Sequence, residues 1–140
     1  MNRLAVETPE VDILTHPSFE RTDSGMNHVL MKLAKENNVA IEINFREVLI
    51  NEERSRSQCV SRMISNVNLA KKIHAPLVIC SGSLSHWELR YPLSLISFLM
   101  ELGLKINEAK ECLTKIPEKI VVQSKERKDK KWIAPGVKIK

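Results

Sequence analysis

Val39-Ala40-Ile41-Glu42-Ile43-Asn44 is rich in β-branched residues, sets Ile41 and Ile43 against Glu42 and Asn44, and runs into the polar segment Phe45-Arg46-Glu47. This is the pattern of a strand with polar side chains on one face near its C-terminal end. Two other runs have the same character: Val11-Asp12-Ile13-Leu14 before it and Leu77-Val78-Ile79-Cys80 after it. Between them the apolar period lengthens to that of a helix. Met26, Val29, Leu30 and Leu33 fall at i, i+3, i+4 and i+7, with Lys32, Lys35 and Glu36 facing away. Asp23 or Ser24 can cap the start of this helix, and Asn37-Asn38 fits its end. A second helix is expected from about Glu52 to His74, burying Val60, Met63, Ile64, Val67 and Ala70 and leaving Arg54, Arg56, Arg62, Lys71 and Lys72 mostly off the buried stripe. A third opens at Pro92 and closes near Gly103; its nearly all-round apolar surface predicts heavy burial. Asn107 is expected to cap a fourth, through Ala109, Cys112, Leu113 and Ile116, and Pro117 to start a fifth carrying Ile120 and Val121.

Strand–helix alternation with short loops means βα units and a parallel sheet, hence an α/β fold. Three parallel strands cannot close a barrel and leave edges with unpaired backbone groups. The segment from Leu4 to Glu7 reads as the end of a helix rather than the start of a domain. The expectation is part of a larger sheet, with N-terminal βα units missing or an edge covered by another chain. Residues 1–122 form the βα-repeat domain in this reading, and 123–140 a basic C-terminal tail.

The chain has 140 residues, enough for one domain, and a formal net charge of +5. The excess charge is local. Residues 1–114 carry 13 basic and 14 acidic side chains, residues 115–140 carry 9 and 3. A segment of that charge suits a polyanion such as nucleic acid; the alternative is a solvated tail. At 43% hydrophobic and 28% charged residues the chain is neither disordered nor membranous in character. No membrane partner is expected, and the N-terminus lacks the layout of a signal peptide, so the expected location is the cytoplasm. Cys59, Cys80 and Cys112, odd in number and without CxxC spacing, read as reduced and mostly buried thiols.

Three loops follow the C-terminal ends of the strands, where α/β proteins bind ligands. They are His16 to Gly25, Phe45 to Arg56, and Ser81 to Tyr91, and they carry Arg21, Arg46, Arg54, Arg56 and Arg90. The guanidinium fork suits bidentate contact with phosphate or carboxylate. Equally, Arg21 and Arg90 can tie the loops down by pairing with Asp23 or Glu88. Asp12 and Glu42 resemble a catalytic dyad but are better read as hydrogen-bonded or ion-paired groups. There is no His-x-His, HExxH or glycine-rich phosphate loop, so a self-contained active site is not supported. His16, at the end of a strand, is the histidine best placed to touch a ligand.

Val11-Asp12-Ile13-Leu14, His16-Pro17, Arg21-x-Asp23-Ser24-Gly25-x-Asn27-His28-Val29-Leu30-x-Lys32-Leu33-Ala34 and Asn38-Val39-Ala40-Ile41-Glu42 resemble the archaeal ribonuclease P protein component 3 family, that of the thirty-kilodalton ribonuclease P subunit. Trp87-Glu88-x-Arg90-x-Pro92-x-x-Leu95 is similar to its later loop-and-helix signature. The resemblance runs from about Leu4 to about Val121. It implies a partial TIM-like (β/α) barrel related to the polymerase and histidinol phosphatase superfamily. It also implies work inside the ribonucleoprotein that removes 5′ leaders from precursor tRNA, where the RNA subunit carries the catalytic Mg2+ and this chain binds no cofactor or metal. The implied partners are ribonuclease P RNA, ribonuclease P protein component 2, the other ribonuclease P proteins and, for the holoenzyme, precursor tRNA. Arg21, Asp23, Arg46 and Arg90 match the family pattern. Together with His16, Arg54, Arg56 and Trp87 they are the candidates for RNA or partner contact, and Lys125, Arg127, Lys128, Lys130 and Lys131 are the candidates in the basic tail. The resemblance implies a longer family, whose N-terminal strands are expected to be missing from this chain. The competing readings are a metal-dependent phosphoesterase of the same superfamily, drawing ligands from His16, Asp12 and Glu42, and an interaction module using an open sheet edge.

Overall fold

The structure is a computed structural model that describes residues 1–19, 21–128, 132–134 and 137–138. Helix α1 (Asn2–Glu7) precedes strand β1 (Ile13–Leu14), α2 (His28–Glu36), β2 (Ala40–Asn44), the short α3 (Arg46–Ile50) and the long α4 (Glu53–Ile73). Strand β3 (Leu77–Cys80) follows, then a 3-10 turn at His86–Glu88, α5 (Pro92–Glu101), α6 (Ile106–Glu111), α7 (Lys115–Arg127) and the hairpin strands β4 (Trp132–Ala134) and β5 (Val137–Lys138).

The first three strands form one parallel sheet in the order β1-β2-β3, as the βα alternation requires. Ile13 pairs with Ala40, Leu14 with Ile41, Ile41 with Leu77 and Ile43 with Ile79. Leu14, Ile41, Ile43, Leu77 and Ile79 therefore share a face, and all five are buried in the main core with Met31, Ala34, Met63, Val67 and Leu99. Burying each large side chain contributes roughly 1.5–3 kcal/mol. Glu42 and Asn44 lie on the other face, opposite Val78 and Cys80. The outer edge of β3 is partly covered, because Ile79 N–H donates to Cys112 O at 3.4 Å. Helix α7 passes the opposite end of the sheet from the strand-end loops. Ile116 and Lys119 stand beside Ala75-Pro76-Leu77 at the entry to β3, and Arg127 reaches Asp12 and Pro9 O at the entry to β1.

Several local expectations are corrected. The cap of α2 is Asn27, whose side chain accepts from Leu30 N–H at 2.9 Å, and not Asp23 or Ser24. The inward stripe of α2 is Met31 and Ala34, flanked by Leu30 and Leu33, while Val29 is exposed. In α4, Cys59 and Asn66 join the buried stripe and Ile64 sits at its exposed border. Helix α5 is buried only through Leu95, Ile96 and Leu99; Leu93 and Met100 face outward. Lys105, not Asn107, holds the N-cap position of α6, where its backbone N–H donates to Glu108 Oε2 at 2.8 Å, and the helix ends at Glu111 instead of continuing to Ile116. Pro117 sits in the first turn of α7, where its missing N–H costs no bond, and α7 continues through Gln123 to Arg127.

Candidate functional site

Backbone geometry assembles the strand-end loops. Asn44 is buried at the end of β2, and its Oδ1 accepts from Arg46 N–H at 3.0 Å, turning the chain into α3. Gly82, at φ +60°, lies so close that a Cβ there would fall 2.0 Å from Asn44 Oδ1, so only glycine fits. The loop after β1 is held from two sides. Asn2 Nδ2 donates to Pro17 O (2.7 Å) and Gly25 O (2.9 Å), and the buried Asn66 Nδ2 donates to Ser24 O (2.9 Å). A Cβ on Gly25, itself at φ +74°, would lie 1.7 Å from Pro17 O.

Between this loop, α3 and α4 lies a cleft of about 460 Å³. His16, with φ +47° in the left-handed region, points Nδ1 at Glu47 Oε1, 2.5 Å away. Cys59 Sγ donates to the other oxygen of Glu47 at 3.7 Å. Burial and then the Glu47 charge push the Cys59 thiol up to about 11, so it stays protonated and serves as a donor, not a nucleophile. Arg46 and Arg62 also line the cleft. Helix α4 contributes Ser55, Gln58, Cys59 and Arg62, which recur at i, i+3, i+4 and i+7 and so share one helical face. Sequence reasoning missed this face because it followed only apolar periodicity; the same period among polar residues carries the signal.

The predicted arginines reach the strand ends, yet most are engaged. Arg21 binds Asp23 through two bonds, of 2.6 and 2.9 Å, so it braces its own loop. The Arg21 bond, followed by the Gly25 N–H, holds the Asp23 carboxyl at about 2. Arg46 Nε meets Glu88 Oε2 at 3.0 Å and ties the second loop to the third. Glu88 is lowered first by accepting from Leu84 N–H and also by Arg46. Arg90 does not take Glu88: it donates to Trp87 O (3.0 Å) and Leu89 O (2.9 Å) and lies 5.7 Å from the Phe45 ring centroid. Trp87 projects from the third loop, 80% exposed. Arg54 and Arg56 are exposed at the start of α4 and do not line the cleft; Arg56 Nε donates to Asn51 O at 2.9 Å.

The basic segment is elsewhere. Lys125 and Lys128 are exposed on and just beyond α7, at the strand-entry end. Arg127 is pinned by Asp12, its side chain only 14% exposed, and is a brace instead of a free cation. Lys130 and Lys131 lie outside the described residues. Asp12 and Glu42 form no dyad: Asp12 takes Arg127, and Glu42 Oε1 accepts from Cys80 Sγ at 2.7 Å. Among the described residues no group of three or more His, Cys, Asp or Glu side chains could hold a metal ion, and no helix is long and apolar enough to cross a membrane.

Fold and site together define a parallel βα-repeat protein with a polar, arginine-braced rim at its strand ends. The family model described as RNase P subunit p30 matches residues 1–129. Proteins named ribonuclease P protein component 3 from Methanosarcina mazei and Methanosarcina acetivorans are 39% and 40% identical to this chain over 139 residues, taking in 99% of this chain and 57% of each relative. A chain of the cryo-EM structure of archaeal ribonuclease P with mature tRNA matches with a TM-score of 0.87 at 34% identity, over 99% of this chain and 59% of that one. The chain spans a little under three fifths of these relatives' length, and it belongs to the RNase P subunit p30 family.

Proposed function

We propose that this chain acts as a protein subunit of ribonuclease P, the ribonucleoprotein that removes the 5′ leader from precursor tRNA. The observation that carries this reading is the TM-score of 0.87 against a chain of archaeal ribonuclease P with mature tRNA, over 99% of this chain. In this role the chain does not cut RNA; the catalytic RNA supplies the chemistry with its Mg2+. The rim offers preformed polar surface on which Arg21, Arg46 and Arg90 are held in place, so little side-chain entropy is lost on contact. Exposed lysines such as Lys125 and Lys128 add sequence-independent attraction to phosphates. Leu84, Trp87, Leu89, Tyr91 and Leu93 are all more than half exposed within ten residues, which supports docking of a protein partner on the third loop. Ribonuclease P protein component 2 is the proposed occupant, within an assembly that includes the other ribonuclease P proteins. In the finer fold reading, the three parallel strands are consecutive units of a TIM-like barrel, with Glu42 and Asn44 on its inner face. A cytoplasmic setting fits the three free cysteines.

Binding to ribonuclease P RNA at a series of salt concentrations tests the electrostatic part. The logarithm of affinity should fall by about 0.7–0.9 per log unit of salt for each phosphate contacted. A salt-independent affinity would overturn it.

A further inference from the structure

A second cavity, of about 250 Å³, adjoins the strand-end cleft and is lined by Thr22, Gln58, Ser61 and Arg62. Gln58 and Arg62 line both cavities, so these two side chains border each of them. Arg62 differs from Arg21 and Arg46. It is half-buried on α4 and makes no ion pair among the described residues, whereas Arg21 and Arg46 are each held by a carboxylate. Both oxygens of Glu47, the carboxylate in the larger cavity, are engaged by His16 and Cys59. On the wall of the larger cavity Phe19 is 69% exposed, its ring 6.5 Å from that of His16. An exposed phenyl ring lining the same cavity as a guanidinium without a carboxylate partner among the described residues matches an unpaired base and its phosphate.

We infer that the two cavities are adjoining subsites for an unpaired RNA dinucleotide, with Arg62 binding the phosphate that links its nucleosides and Phe19 stacking on the base in the larger subsite. The inference rests on the ribonuclease P reading and adds to it the RNA class and the contacting residues. Duplex RNA is excluded, because a paired base keeps its faces inside the stack and offers none to Phe19. Gln58, which borders both cavities, supplies an amide for a ribose hydroxyl or base edge.

The test is binding of the full chain to a labelled uridine hexanucleotide and to a duplex of equal length, across a salt series. The single strand should bind more tightly. Arg62→Gln should weaken it by about tenfold, the scale of one charge-assisted contact, and lower the salt slope by about 0.7. Arg62→Lys should retain the slope. Phe19→Ala should weaken binding severalfold at unchanged slope, because stacking carries no charge. Lys72→Gln, outside both cavities, is the charge-loss control, and unchanged thermal melting shows that the variants fold. Equal affinity for duplex and single strand, or Arg62→Gln indistinguishable from the unmodified chain, overturns the inference. If those variants are silent while the chain still raises precursor-tRNA cleavage, the dinucleotide site falls and the ribonuclease P role stands. If the chain binds the hexanucleotide as described but leaves cleavage unchanged, the role falls instead.

Discussion

Gly82 has no room for a side chain: an added methyl would overlap Asn44, the residue that turns β2 into α3. Gly82→Ala should destabilise the fold by about 1–3 kcal/mol, from left-handed strain and the displaced cap; urea denaturation measures this, and an unchanged midpoint would contradict the packing described. Asp23 gives a prediction in pH. Its carboxyl is held at about 2, below the ordinary 3.8, first by Arg21. A carboxyl lowered in the folded state contributes stability above its ordinary value and loses it as pH falls through the folded value. The Arg21–Asp23 brace should thus persist at pH 3.8 and release toward pH 2; an NMR titration of the Asp23 carboxyl centred near 3.8 would show that the brace is not formed in solution. At this scale the sequence was half legible. That Arg21 pairs with Asp23 could be read from their spacing. That Arg46, not Arg90, takes Glu88 could not, because that choice depends on how two loops separated along the chain converge.

Elements were legible where one physical cause dominated. The β3 boundaries follow directly from a β-branched run between Pro76 and the Ser81-Gly82 turn, and the structure places the strand at Leu77–Cys80. In α5 the apolar content predicts more burial than occurs, because periodicity cannot say that Leu93 and Met100 stay exposed. Leu99→Ala, at a fully buried position, should cost about 2–5 kcal/mol. Leu93→Ser, at a position 58% exposed, should leave the isolated chain's melting temperature nearly unchanged. A large loss from Leu93→Ser would mean that the outer face of α5 is covered after all. In α4 the polar repeat Ser55, Gln58, Cys59 and Arg62 marks the cleft, whereas Arg54 and Arg56, chosen for their charge, do not line it. The spacing of a polar face was more informative than the count of arginines.

Across the whole molecule, the strand-end rim and the basic helix α7 occupy opposite ends of the sheet. They are therefore two separate surfaces. Arg127 joins α7 to the entry of β1 through Asp12, and this link connects chain segments far apart in sequence. Asp12→Ala should cost about 2 kcal/mol by leaving a mostly buried guanidinium without its carboxylate. The change should appear in thermal melting, and a neutral result would mean that α7 is anchored by packing alone. Nothing in the composition placed the basic segment relative to the loops, since net charge carries no direction. The most direct measurement of the account is precursor-tRNA cleavage by ribonuclease P RNA reconstituted with its proteins, with and without this chain, as Mg2+ is lowered. The chain should sustain cleavage at Mg2+ concentrations where the assembly lacking it fails, and should cleave nothing by itself. Identical cleavage with and without it, or cleavage by the chain in the absence of RNA, would contradict the account.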